Sequence, residues 1–118
     1  MSQSASQASS FYKEVAINLM VWTVKDGGGF PAPINSEGKR VQPFWSSLSR
    51  AQNIIKNVSA YSKFEPVEIS WEEFSIKWVP GLSRDGLLVG VNWSGNSAIG
   101  YDIEPEEVMK NIESNIAI

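Results

Sequence analysis

The sequence contains no cysteine and no histidine. The absence of cysteine excludes disulfides, thiolate metal sites and thiol nucleophiles. The absence of histidine removes the most frequent general base and the most frequent metal ligand. Asp26, Asp85 and Asp102 are isolated along the chain, so they do not form an oxygen-ligand calcium loop. We therefore expect no metal site, no cofactor and no catalytic residue, and we favour a non-enzymatic function.

Serines, paired glutamates and a glycine run are the remaining patterns that could suggest a reaction. Ser10-Phe11-Tyr12-Lys13 has the S-x-x-K spacing of some serine enzymes, but it lies beside an expected disordered tail. Glu72/Glu73 and Glu106/Glu107 are adjacent on predicted helices, so their carboxylates point apart. Asp26-Gly27-Gly28-Gly29 lacks the remainder of a phosphate-binding motif. Helix capping and turn formation explain these residues.

The charge balance limits the classes of partner. Thirteen acidic and ten basic residues give a net charge of −3, which disfavours binding to nucleic acid. The first ten residues, MSQSASQASS, lack the features of a signal peptide. No run approaches the roughly 20 apolar residues of a membrane-spanning helix. We expect a cytoplasmic protein that contacts neither nucleic acid nor membrane.

The pattern of apolar residues predicts a disordered tail over residues 1–9 and a single α+β domain over residues 10–118. The expected architecture is a two-layer sandwich of a mixed, mainly antiparallel sheet with about four helices, in the order α-β-β-β-α-β-α-β-β-α. The second strand, residues 30–34, contains two prolines and is expected at a sheet edge. Residues 87–91 are expected to form the central strand.

Local signals place the ends of several elements. Ser46 or Ser47 is predicted to cap the helix that follows, and Ser70 with Glu73 fits a capping box. Pro80-Gly81 is expected to end the helix that begins there. Gly95-Asn96 predicts a two-residue hairpin turn.

The chain contains five tryptophans, which is several times ordinary usage. Trp45 and Trp93 each fall at the end of a predicted strand, where aromatic side chains often anchor a partner or a planar ligand. Packing at the edge of the core is the alternative explanation. The candidate binding residues, whether for a partner or for a ligand in a cleft, are Trp22, Lys25, Asp26, Arg40, Trp45 and Trp93.

Several segments together resemble a known family. These are the helix with Phe11 and Tyr12, VWTVKDGGGF (21–30), VQPFWSS with Ala51, EPVEISWEEFSIKWVPGLSRDGLLVGVNW and the closing IEPEEVMKNIE. Over residues 11–113 the chain is similar to the small bacterial domain-of-unknown-function family 2750. The resemblance implies a bacterial, cytoplasmic protein without an assigned activity, and it supplies no catalytic residues. The three glycines followed by two prolines depart from the family's more regular, acidic hairpin.

Three functions remain open from the sequence. The leading hypothesis is a non-enzymatic domain that recognises a protein partner, with an immunity or regulatory role. The immunity role is considered because the motif Pro43-Phe44-Trp45-Ser46, at the end of a predicted strand, also resembles small toxin-immunity domains. An acidic surface would suit a basic partner. The second hypothesis is a small-ligand sensor or cryptic enzyme with a tryptophan-lined cleft. The third is homo-oligomerisation through the edge that carries the prolines.

Overall fold

The computed structural model describes residues 3–116 and consists of four helical segments and five strands. In chain order the elements are α1 (Gln3–Asn18), β1 (Met20–Lys25), β2 (Val41–Phe44), α2 (Leu48–Asn57), β3 (Glu65–Ser70), α3 (residues 71–84), β4 (Leu88–Ser94), β5 (Ile99–Ile103) and α4 (Pro105–Glu113). A short 3₁₀ turn, Ser59–Tyr61, follows α2. The predicted α+β class is confirmed.

The strands form a two-stranded sheet, β1-β3, and a three-stranded sheet, β2-β4-β5. β2 and β4 are parallel, and the other two pairings are antiparallel. An isolated antiparallel bridge between Trp22 and Trp45 joins the two sheets, with N–H to O distances of 2.8 and 2.7 Å. The spatial order is therefore β3-β1-β2-β4-β5, and the predicted central strand, β4, lies inside its sheet.

Apolar side chains cover both faces of this sheet. One cluster, which includes Phe11, Phe44 and Val91, packs under α1, α3 and α4. A second cluster, which includes Trp45 and Ile54, packs under α2. α2 therefore lies on the face of the sheet opposite to α1, α3 and α4.

The N-terminal segment is helical where a disordered tail was expected. Residues 3–9 belong to α1, so the prediction for them is wrong, and residues 1 and 2 lie outside the described part of the chain. Ala8 is buried in line with Phe11 and Val15, at helical spacing. The side-chain amide of Asn92 donates to the Gln7 carbonyl at 3.2 Å. Tertiary packing therefore orders a segment whose polar composition indicates disorder.

The predicted edge strand at residues 30–34 does not form. Pro31 and Pro33 lack backbone donors, and the segment retains only an isolated bridge between Ile34 and Arg40. The Pro33 carbonyl accepts from Val41 N at 2.9 Å, which holds this loop beside β2. Residues 3–116 therefore contain five strands instead of the expected six.

The predicted serine caps form, whereas the predicted end of α3 is wrong. Ser47 accepts from Arg50 N, and Ser70 accepts from Glu73 N at 3.1 Å. α3 consists of Trp71–Glu73, a π-helical stretch Phe74–Trp78 and Val79–Arg84, and so continues through Pro80. Val79 N donates to the Phe74 carbonyl five residues earlier. This wider turn lets the helix accept a proline, which would otherwise break it.

Candidate functional site

Three of the six predicted binding residues lie together, and they belong to the core. Trp45 is fully buried, Trp93 is 7% exposed and Trp22 is half-buried against the same cluster. The indole N–H of Trp45 donates to the Trp93 carbonyl at 2.9 Å. The two tryptophans at strand ends therefore pack in the core, which was the alternative explanation of their position.

The other three predicted residues lie apart from this cluster. Lys25 and Asp26 follow Trp22 by three and four residues along extended chain, which is about 10 Å or more. Asp26 accepts from Gly28 N at 2.8 Å and closes the glycine turn. Arg40 is exposed and donates to the Ala32 carbonyl at 2.9 Å. No shared cleft brings the six residues together within the described chain.

A β-bulge in β4 explains why Trp93 points into the core under α2. The register with β5 shifts between Val91 and Ser94, and Asn92 has a φ of +49°. The shift turns the Trp93 ring back over Gly90, where an added Cβ would lie 2.4 Å from the ring. The indole N–H then donates to Asp102 Oδ1 at 3.0 Å, across the strand pair.

Ser46 and Glu14 are at the centre of a hydrogen-bonded network that joins several elements of the fold. Ser46 is buried, donates to Glu14 Oε1 at 2.6 Å and accepts from the Asn92 amide at 3.0 Å. Arg50 donates to both carboxylate oxygens of Glu14, at 3.1 and 2.9 Å. A buried hydroxyl beside a carboxylate that is neutralised by arginine is a poor nucleophile. The role of this network is to hold α1, β2, α2 and β4 together.

The Arg50 hydrogen bond lowers the pKa of Glu14; partial burial opposes the shift, and the Ser46 hydroxyl bond adds to it. A lowered pKa means that the stabilisation is complete above the ordinary glutamate pKa and is lost as the pH falls toward the folded-state value.

Replacement of Glu14 by glutamine, Glu14→Gln, should lower the free energy of unfolding by about 1–2 kcal/mol at pH 7. The difference from wild type should shrink below pH 4, which urea denaturation at several pH values would measure.

The β5 edge, Ile99–Ile103, is an edge strand with an apolar surface. Ile99 and Tyr101 are 68% and 43% exposed, and β5 pairs only with β4 among the described strands. The opposite edge strand, β3, contains Pro66 and two glutamates, which are features that protect an edge from further pairing. The β5 edge contains no proline and no lysine, and its single carboxylate, Asp102, is held by Trp93 and by Asn35 at 3.1 Å.

Two hollows lie beside the β5 edge. The isoleucine hollow, about 600 Å³, is lined by Ile34, Tyr61, Trp93, Ile99 and neighbouring residues of the 33–36 and 97–100 segments. The tyrosine hollow, about 620 Å³, is lined by Tyr12, Tyr101, Ile103, Glu107 and residues of α1. Asp102 lines both hollows, but Gly100 faces Trp93 and Ile103 packs on the cluster under α1. The hollows therefore flank the strand on opposite faces of the sheet.

Sequence reasoning missed this edge because it concentrated on tryptophan. The exposure of Ile99 and Tyr101 depends on which elements cover the strand that contains them. An edge strand without proline or lysine would have been the useful signal.

Within residues 3–116, no helix combines the length and the apolar character needed to cross a bilayer. In the same range, no three acidic side chains come together in a way that could hold a metal ion.

The fold and the β5 edge define a small α+β domain with an open strand edge. The model of the family described as "Protein of unknown function (DUF2750)" matches residues 8–112, and the chain belongs to this family. No curated protein matches it. Among solved structures it is similar to Anabaena Tic22 (protein transport), with a TM-score of 0.40, 14% identity, and coverage of 75% of this chain and 46% of that chain. A TM-score of this size carries no argument about function.

Proposed function

We propose that the protein is a non-enzymatic binding domain of the bacterial cytoplasm that recognises an extended segment of a protein partner, in an immunity-like or regulatory role. The segment adds to the β5 edge as a further strand. The observation that carries this proposal is an unprotected edge strand with a hollow on each face. In strand addition, backbone hydrogen bonds supply affinity and pockets for alternate side chains supply specificity.

The alternation of a β-strand fits the two hollows. Successive side chains of an added strand point to opposite faces of the sheet, so they would enter the isoleucine and tyrosine hollows in turn. Ile34 and Ile99 offer apolar contact on one face, and Tyr12 and Tyr101 offer an aromatic contact on the other. We expect the partner segment to carry apolar side chains on both faces, with one set for each hollow. It should have no proline at the pairing positions.

Charge selects a basic partner. The tyrosine hollow contains Glu107, Glu104 follows β5 directly, and Glu106 lies in the first turn of α4. No lysine or arginine is among the residues that line either hollow. Together with a net charge of −3, this favours lysine or arginine flanking the apolar positions of the partner segment.

In-cell photo-crosslinking at Ile99 tests the proposal. A photoreactive phenylalanine analogue would replace Ile99 in one variant and Ile76 in a matched control, since these side chains are 68% and 66% exposed. Position 99 should crosslink to an extended basic segment of another protein, identified by mass spectrometry, and position 76 should not. Ile99→Lys should then lower affinity for a synthetic peptide of that segment by at least tenfold, while Ile76→Lys leaves it unchanged.

Three outcomes would refute this proposal. Equal crosslinking from positions 76 and 99 would indicate non-specific contact. If no protein is crosslinked to position 99, the β5 edge does not bind a partner. Crosslinking of position 99 to a second copy of the chain, with a dimer in light scattering, would assign the edge to homo-oligomerisation.

A further inference from the structure

A third cavity lies between α2 and the turn that joins β4 to β5, and it shares Trp93 with the isoleucine hollow. Its volume is about 360 Å³, which lies at the lower end of the range for small-molecule sites. We name it the amide cleft after the side-chain amides of Asn53, Asn57 and Asn96, which belong to its lining. At about 30 Å³ per water molecule it would hold about a dozen waters, which is room for a small ring compound.

The rim supplies hydrogen-bonding groups that no protein group uses. Asn53 and Asn57 are exposed and four residues apart on α2, so their side chains lie on the same face of the helix. Asn96 faces them from the turn. Within residues 3–116, the side-chain amides of these three residues form no hydrogen bond with another protein group. Each amide offers two donors and an acceptor, which suits a ligand with several hydroxyl groups.

The electrostatics of the amide cleft favour an uncharged ligand. Arg50 is the one charged residue among those that line it, and Glu14 neutralises that charge with a 2.9 Å ion pair. Three of the five guanidinium N–H groups are used, two by Glu14 and one by Gln7 at 2.6 Å. The remaining two can donate to a ligand oxygen without contributing a net charge to the site.

The floor of the amide cleft is apolar and rigid. Trp45, Ile54 and Trp93 line it and are buried, and the Trp45 indole is fixed by its bond to the Trp93 carbonyl. A polar rim over an aromatic and aliphatic floor matches a molecule with hydroxyl groups around its edge and an apolar ring face. We propose that the amide cleft binds an uncharged, polyhydroxylated small molecule of about monosaccharide size. Because its lining contains no free carboxylate and the chain has no histidine, the cleft binds this ligand without turnover.

Ligand-observed NMR with a defined panel tests this inference. The probes are glucose, galactose, mannose and ribose, with glucuronate and inorganic phosphate as charged comparisons. At least one neutral sugar should bind and perturb the fluorescence of Trp45 or Trp93. The double variant Asn53→Ala/Asn57→Ala removes two hydrogen-bonding groups, so we expect at least a tenfold loss of affinity. Gln52→Ala, on the same helix but a different face, should bind as the wild type does.

Each alternative result overturns the inference. Binding of phosphate or glucuronate without any neutral sugar would contradict the proposed ligand class. Sugar binding that survives the double variant would place the site elsewhere. If no probe binds at a tenfold excess over protein at millimolar concentration, the proposed site does not exist. Circular dichroism of the double variant checks that its fold is intact. Trp93 lines both this cleft and the isoleucine hollow, but Asn53 and Asn57 line neither hollow beside β5, so the double variant tests the cleft separately from the β5 edge.

Discussion

Replacement of Gly90 by alanine should lower the free energy of unfolding by about 3 kcal/mol. Gly90 lies in the central strand beneath the Trp93 ring, and an added Cβ would lie 2.4 Å from Cε2 and 2.5 Å from Nε1. The ring cannot move away without losing its hydrogen bond to Asp102. Urea denaturation followed by circular dichroism would measure the difference.

Gly81→Ala is the matched control for this substitution. Gly81 lies in α3, and an added Cβ would meet only the end of the flexible Arg84 side chain, at 3.6 Å. Alanine favours a helix over glycine, so this variant should be as stable as the wild type or up to about 1 kcal/mol more stable. Equal losses in the two variants would contradict the packing of Trp93 over β4.

Trp45→Ala should destabilise the protein by about 4 kcal/mol. The side chain is fully buried in the cluster under α2, and its removal leaves a cavity and an unpaired Trp93 carbonyl. Trp45→Phe retains most of the ring volume and loses the hydrogen bond, so it should lose less than half as much. Thermal and urea unfolding of the two variants would measure both values.

The Trp45 variants also separate the two explanations of tryptophan at strand ends. If Trp45 were a docking residue, Trp45→Ala would fold with nearly wild-type stability and lose the partner. A core residue gives the opposite result, with lost stability and, in the fraction that remains folded, unchanged binding at the β5 edge.

The sequence predicted those parts of the fold that depend on short-range chemistry. Ser47 and Ser70 cap helices as their spacing indicates. β4 was recognised as central because it is apolar on both faces. In each case, residues that are close together in the sequence determine the local structure.

The errors arose where distant contacts decide the structure. The polar segment 3–9 is helical because Ala8 packs in the core and Gln7 contacts Asn92 and Arg50. The turn after β4 has four residues, 95–98, instead of two, because the bulge at Asn92 changes the register of the pair. No local pattern in the sequence indicates the packing of residues 3–9 or the bulge at Asn92.

The candidate site was less accessible to sequence reasoning than the fold. Tryptophan abundance directed attention to Trp45 and Trp93. The burial of Trp93 depends on the bulge and on Gly90 and Gly100, which leave space for its ring. The exposed Ile99 and Tyr101 belong to an alternating strand, and such a pattern does not reveal whether a helix covers it. Exposure of an edge is a property of the assembled sheet.

The central claim is that β5 receives a partner strand, and amide hydrogen exchange tests it most directly. The measurement compares the free protein with its complex with the crosslinked partner segment. We predict that backbone amides of Ile99–Ile103 gain protection in the complex, while those of β3, the other edge strand, stay unchanged. Protection that develops at β3 or α2, with β5 unaffected, would contradict the claim.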